Sequence, residues 1–187
     1  MGPGISLGTA ALLLIAAMVI FRVVVRRDYR GKGRLTPFSS FLERVIFTLW
    51  ASFMYLGLPA GWPASRVSPI VRVIAWISFA GGAAIVLIAF ARLGVRRAHG
   101  LEANVLRQSG LYGVTKNPQI VGLGLLVVAS TVLWPSWHAV VSVVLYAAIA
   151  HVMVLTEEEH LRERCGNEYA RYWRQVPRYL GIRQPHS

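Results

Sequence analysis

This chain is poor in cysteine and in acid: among 187 residues there is one Cys, and eight Asp and Glu stand against twenty Lys and Arg. The lone Cys165 excludes a disulfide framework and a cysteine cluster for zinc. The HExxH, Gly-x-Ser-x-Gly and phosphate-loop signatures are missing as well. The five His residues are scattered, which argues against a His-rich membrane oxygenase. Glu157 and His160 have the Glu-x-x-His spacing of di-iron bundles, but such a site needs a second copy and further Glu residues, and the chain has neither. No metal is expected. Linkers, internal repeats and low-complexity tracts are absent, so a single domain over residues 1–187 is the economical reading. The opening "MGPGISLG" lacks a basic n-region, and no small-residue cleavage site clearly follows Phe21, so the first apolar stretch is read as a retained helix.

Apolar residues are what the chain has in excess. A hydrophobic content of 55%, a charged content of 15% and a mean hydropathy of +0.51 describe an integral membrane protein rather than a soluble domain. A bilayer core about 30 Å thick needs roughly 20 apolar helical residues. Spans are predicted at about residues 5–25, 41–58, 72–90, 118–134 and 139–156, so the expected fold is all-α with five transmembrane helices. Only "PSWH", residues 135–138, separates the last two, which makes them an antiparallel helical hairpin. Charge tests the count, because cytoplasmic connections should hold the Lys and Arg. Residues 22–44 carry seven basic side chains, 91–119 carry five and 156–187 carry six, whereas 59–72 hold only Arg66 and Arg72, and 134–138 only His138. Five spans with the N-terminus outside and the C-terminus cytoplasmic satisfy this alternation, and a prokaryotic plasma membrane is expected. The net charge of +12 flanks membrane segments, so membrane lipids are the expected partners and nucleic acid is not. Residues 91–119 and the amphipathic tail 157–187 are each too short for a core of their own. They are expected to fold on each other as a cytoplasmic cap.

Two polar stretches stand at the ends of the hairpin. In "GLYGVTKNPQIVG", residues 110–122, Asn117 suits an N-cap and Pro118 the first helical position. Tyr112, Lys116 and Gln119 have no such structural explanation. A helix start offers free N–H groups, and with Lys116 beside them the place suits a carboxylate or phosphate. Gly122 and Gly124 read first as marks of close helix packing. The second stretch is "LTEEEHLRERCGNEYARYWRQVPRYLG", residues 155–181. Glu159 and Glu163 are expected to pair with Arg residues a turn away. Glu157 and Glu158 lie at membrane depth, where carboxylates usually face an interior or a site. His151, two helical turns before Glu158, shares its face; its ordinary role is a hydrogen bond to a neighbouring helix.

Together the two stretches resemble the isoprenylcysteine carboxyl methyltransferase and phospholipid methyltransferase superfamily, over about residues 90–181. Its first motif, Gly-Pro-Tyr-x-x-x-Arg-His-Pro-x-Tyr-x-Gly, is met by Gly110, Tyr112, Pro118 and Gly122. Its second, Glu-Glu-x-x-Leu followed by Phe-Gly-x-x-Tyr-x-x-Tyr and Val-Pro-Arg, is met by Glu157, Glu158, Leu161, Gly166, Tyr169, Tyr172, Val176, Pro177 and Arg178. Leu111, Lys116, Asn117, Ile120 and Cys165 depart from it. Lys for Arg keeps the charge and loses the planar fork, and Asn for His removes the nearest candidate base.

The resemblance implies a membrane methyltransferase that uses S-adenosylmethionine. That molecule carries a carboxylate, an ammonium and a sulfonium, so it needs anion donors at one end and carboxylates at the other. The start of the fourth helix (Lys116, Asn117, Pro118, Gln119, Gly122) is expected to supply the first, and Glu157 and Glu158 the second. Tyr112, Tyr169 and Tyr172 are expected to pack around the adenosine. Glu158 and Arg178 are the expected catalytic residues, with a lipophilic acceptor entering from the bilayer and its headgroup drawn toward Arg178 or Lys116. A carboxylate or thiolate acceptor needs no base; an amine must first be neutral. An NADPH-dependent reductase related to sterol reductases and a non-catalytic lipid-binding protein of the same fold are the alternatives.

Overall fold

The computed structural model describes residues 3–57, 67–93 and 110–180. Its first rod begins as α1 (Pro3–Val19), passes through a π-helical segment (Ile20–Val25) and ends as α2 (Arg26–Lys32). Gly33, at φ 64°, stops it, donating its N–H to the Tyr29 carbonyl at 3.0 Å. The chain then turns around Asp28. That buried carboxylate accepts the Thr36 N–H at 3.1 Å and the hydroxyls of Thr36 and Ser39. Thr36 in turn caps α3 (Pro37–Leu56) by accepting the Ser39 N–H at 3.2 Å, with Pro37 in the first turn.

The remaining helices among the described residues are α4 (Pro69–Leu93), α5 (Pro118–Leu133) and α6 (Trp137–Gln175). Residues 134–136 reverse the chain between α5 and α6, and Ser136 caps α6 through the Ala139 N–H at 3.1 Å. The two helices then pack together, the Tyr146 hydroxyl donating to the Ile120 carbonyl at 2.7 Å. α6 is the central element, packed by α1, α3 and α5, while α4 lies against α5. Phe21, Ile46, Trp50, Leu145 and Ile149 form the core between them. Two polar ties fix α3 to α6: Trp50 Nε1 donates to the Ser142 carbonyl at 3.0 Å, and His138 Nε2 lies 2.6 Å from the Phe53 carbonyl.

Among the described residues, three helices are long and apolar enough to cross a membrane, at Leu7–Lys32, Pro69–Ala91 and Trp137–Gln175. Five were expected. Glu43 and Arg44 lower the apolarity of α3, and the 16 residues of α5 reach about 24 Å, short of a bilayer core of about 30 Å. Large apolar side chains stay exposed on the rods, among them Leu12 at 70% and Ile77 at 67%, as lipid-facing surfaces require. The helices also outrun the expected spans. The first reaches Lys32, and α6 continues to Gln175 through a break at Gly166 (φ 46°, ψ −120°), so residues 157–175 extend the fifth helix. Of the expected cap, residues 94–109 and 181–187 lie outside the described residues.

Candidate active site

The turn that leads into α5 is tied to the end of the chain. After a 3₁₀ turn at Gly110–Gly113, the Lys116 N–H donates to the Pro177 carbonyl at 3.0 Å. The Arg178 carbonyl takes two donors, Asn117 Nδ2 at 2.9 Å and Thr115 Oγ1 at 3.3 Å. The Tyr172 hydroxyl donates to the Tyr112 carbonyl at 2.7 Å. These four bonds close the two motif stretches on each other. Asn117 stands at the N-cap position of α5, as expected, but its side chain makes no capping bond because it is spent on the tail.

Arg178 is held from below by a two-pronged ion pair, with Nε 2.9 Å from Glu158 Oε1 and Nη2 2.7 Å from Oε2. Glu158 is buried, and its bond keeps Arg178 firmly protonated. Its neighbour Glu157 is half-buried, with no hydrogen bond or ion pair among the described residues. A cleft of about 290 Å³ opens beside the pair, lined by Leu155, Glu158, Glu159, Arg162, Glu163 and Arg178.

Lys116 has the more unusual surroundings. It is only 9% exposed, its Nζ has no hydrogen-bond partner among the described residues, and the ammonium sits 4.8 Å from the centre of the Trp173 ring. Burial pushes its pKa down to about 8; Glu158 resists that shift, and Arg178 and Arg162 add to it. Gln119 Nε2 and Trp173 Nε1 are further buried donors without a partner. Buried donors of this kind need an acceptor.

Of the other expected residues, Pro118, Tyr169 and Tyr172 are buried, and the rings of Tyr169 and Tyr172 lie 6.3 Å apart. Gly122 meets α4: a Cβ there would stand 2.9 Å from the Gly82 carbonyl oxygen, so this glycine serves the crossing of two helices. His151 Nδ1 lies 3.0 Å from the Tyr179 hydroxyl, so its partner is the tail rather than a neighbouring helix. Glu159 and Glu163 do not pair within their own helix. Arg22 at 3.4 Å, Arg30 at 2.8 Å and Arg26 all bond Glu159, and Arg30 lies 3.6 Å from Glu163. The regular spacing of Arg22, Arg26 and Arg30 was the available signal for this ladder. Trp173 and Thr115 gave none. No group of three or more possible metal ligands occurs among the described residues.

The fold and this site define an all-helical membrane protein with a charged cleft between α6 and the tail that returns over it. The phospholipid methyltransferase family model matches residues 70–168, more than half of the chain, and the chain belongs to that family. The matched region takes in α4, α5, the Lys116 turn and the Glu157–Glu158 pair. No curated protein is similar enough to count as a relative.

Proposed function

We propose that the chain transfers the methyl group of S-adenosylmethionine to a lipophilic acceptor that reaches the cleft from the bilayer. The observation that carries this reading is the set of buried donors without a partner among the described residues, Lys116 Nζ and Gln119 Nε2 at the start of α5 and Trp173 Nε1 beside Lys116, with Lys116 feeling the Glu158 and Arg178 charges. Such donors fit a carboxylate. Glu157, without a partner of its own among the described residues, fits the ammonium or sulfonium end. Tyr112, Tyr169 and Tyr172 would pack around the adenosine. Glu158 acts through Arg178: its two-pronged bond aims the guanidinium, which would draw the acceptor's headgroup.

When bound, S-adenosylmethionine supplies a methyl carbon already activated by the sulfonium. The protein's task is then to position the acceptor and exclude water. The four bonds that tie the α5 turn to the tail would serve the second part by holding the tail over the site. In the same reading all five helices are placed in the membrane, with the charged end of α6 and the cap in the cytoplasm. Permeabilisation-dependent labelling of a cysteine placed at Leu180, in a Cys165→Ser background, tests that orientation.

Isothermal titration with S-adenosylmethionine and with NADPH decides the cofactor, and labelled methyl incorporation into a lipid extract decides the reaction. Glu157→Gln is expected to weaken S-adenosylmethionine binding by on the order of 3 kcal/mol, because a buried cation loses its carboxylate. Binding of NADPH alone, or of neither molecule, overturns the proposal.

A further inference from the structure

The cleft's lining on α6 begins at Leu155, and a histidine stands one turn beyond it on the same face. Leu155, Glu158, Glu159 and Arg162, four of the cleft's lining residues, lie along one face of α6. His151 continues that stripe one turn before Leu155, about 10 Å along the axis from Glu158. Its side chain is exposed on an otherwise apolar stretch of α6, with no titratable residue between it and Glu157. Nδ1 is engaged by the Tyr179 hydroxyl at 3.0 Å, and Tyr179 follows Arg178 directly. Nε2 makes no hydrogen bond among the described residues. The pair therefore lies on the flank from which a lipid would approach.

We propose that His151, oriented by Tyr179, is the base that takes the proton from a protonated acceptor, which restricts the acceptor to an N–H or comparable X–H nucleophile. This rests on the methyltransferase reading. Of the two tautomers, the one with Nδ1–H donating to the Tyr179 oxygen turns the Nε2 lone pair outward, as a base requires. The acceptor's N–H bond breaks, the proton moves to Nε2, and the electron pair stays on nitrogen and becomes the nucleophile. The imidazolium then returns its proton to interfacial water. Loss of the family's His at position 117 leaves this role open, and His151 fills it from the lipid side.

Among the described residues, the titratable groups around the His151–Tyr179 pair are Arg178 beside Tyr179 in the tail and Tyr146 of α6, which interacts with Tyr179; Glu158 lies two turns further along α6, and α5 contributes no titratable side chain. A pH effect at His151 can therefore be read against a short list of neighbours.

The test uses the full chain in phosphatidylethanolamine vesicles. His151→Gln is expected to lower kcat for methyl transfer about 100-fold at neutral pH, with S-adenosylmethionine affinity and the KM for lipid unchanged. The deficit should shrink as pH rises and the lipid amine loses its proton without help. Tyr179→Phe should show a smaller loss with the same pH trend. A second measurement needs no S-adenosylmethionine: the ring-nitrogen NMR signal that disappears in His151→Gln should shift on adding phosphatidylethanolamine and stay still with phosphatidylcholine, which has no N–H. Equal kcat in wild type and His151→Gln, a loss uniform across pH with weakened S-adenosylmethionine binding, or equal shifts with the two lipids would each overturn the inference. Wild-type protein that binds no S-adenosylmethionine instead defeats the methyltransferase reading, and the nitrogen shift then still decides whether His151 meets the amine.

Discussion

A single buried ammonium dominates the chemistry at the residue scale. Lys116 is 9% exposed with no hydrogen-bond partner for Nζ, and the neighbouring Glu158 charge is already claimed by two bonds from Arg178. Burial holds the lysine's pKa at about 8 against an ordinary 10.5, so between those values the folded protein releases the proton first. Stability is therefore expected to rise with pH across that window, since the unfolded chain binds more protons there. Anion binding runs the other way, because a carboxylate needs the charged form. The affinity for S-adenosylhomocysteine, which keeps the carboxylate, should fall as pH passes about 8. Lys116→Met should bind weakly and lose this component; the ligand's own amine titrates in both proteins, so the difference between the two profiles by isothermal titration reports Lys116. Identical profiles would place the carboxylate elsewhere.

At the scale of elements, α4 and α5 cross at a pair of glycines. A Cβ on Gly82 would stand 2.6 Å from the Gly122 carbonyl oxygen, and one on Gly122 would stand 2.9 Å from the Gly82 oxygen. Both contacts are with backbone, which cannot rotate away. Gly81, one position earlier, has nothing within 4 Å. Gly82→Ala is accordingly expected to destabilise the protein by roughly 1–3 kcal/mol in thermal unfolding in detergent, and Gly81→Ala to leave it unchanged or slightly more stable through better helix propensity. Similar values for the two variants would mean that the helices do not cross here. The sequence marks Gly122 and Gly124 alike as packing residues, but a Cβ on Gly124 would make only an ordinary contact, 3.5 Å from Tyr146 Cε1. Residue type alone cannot distinguish them, since the difference lies in which face α4 covers.

At the scale of the whole molecule, the two ends of the chain are joined by charge. Arg22, Arg26 and Arg30 climb one face of the first rod and converge on Glu159 of α6, while Arg164 Nη1 donates to the Gly33 carbonyl at 2.6 Å. The arginine side chains are 36%, 35% and 53% exposed, so each bond is discounted for solvent screening. Glu159→Gln should cost about 1 kcal/mol in thermal unfolding at low salt, because it also leaves three guanidinium groups facing one another, and the cost should shrink as salt rises. Glu163→Gln, which loses one contact of 3.6 Å between exposed groups, should fall within about 0.5 kcal/mol of wild type. An equal effect at the two positions would dissolve the ladder into a solvated face.

The helical membrane class, the start of α5 at Pro118 and the chain reversal after α5 are local consequences of hydropathy, capping chemistry and a short turn, and they are legible in the chain. The sequence also shows that Glu157 and Glu158 close an apolar run, because apolar runs and charges are read position by position; that the helix continues past them to Gln175 is not legible this way. Partner choice is different. Glu159 reaches arginines about 130 residues away, Arg178 claims Glu158, and Asn117 turns from its cap to the tail carbonyl. These outcomes depend on which helices become neighbours and on how deeply each side chain is then buried. Spacing along one helix identifies only the residues three and four positions away. Whether a charge meets its complement, a lipid or nothing was decided by the packing of α6 among α1, α3 and α5, and by the tail folding back over it.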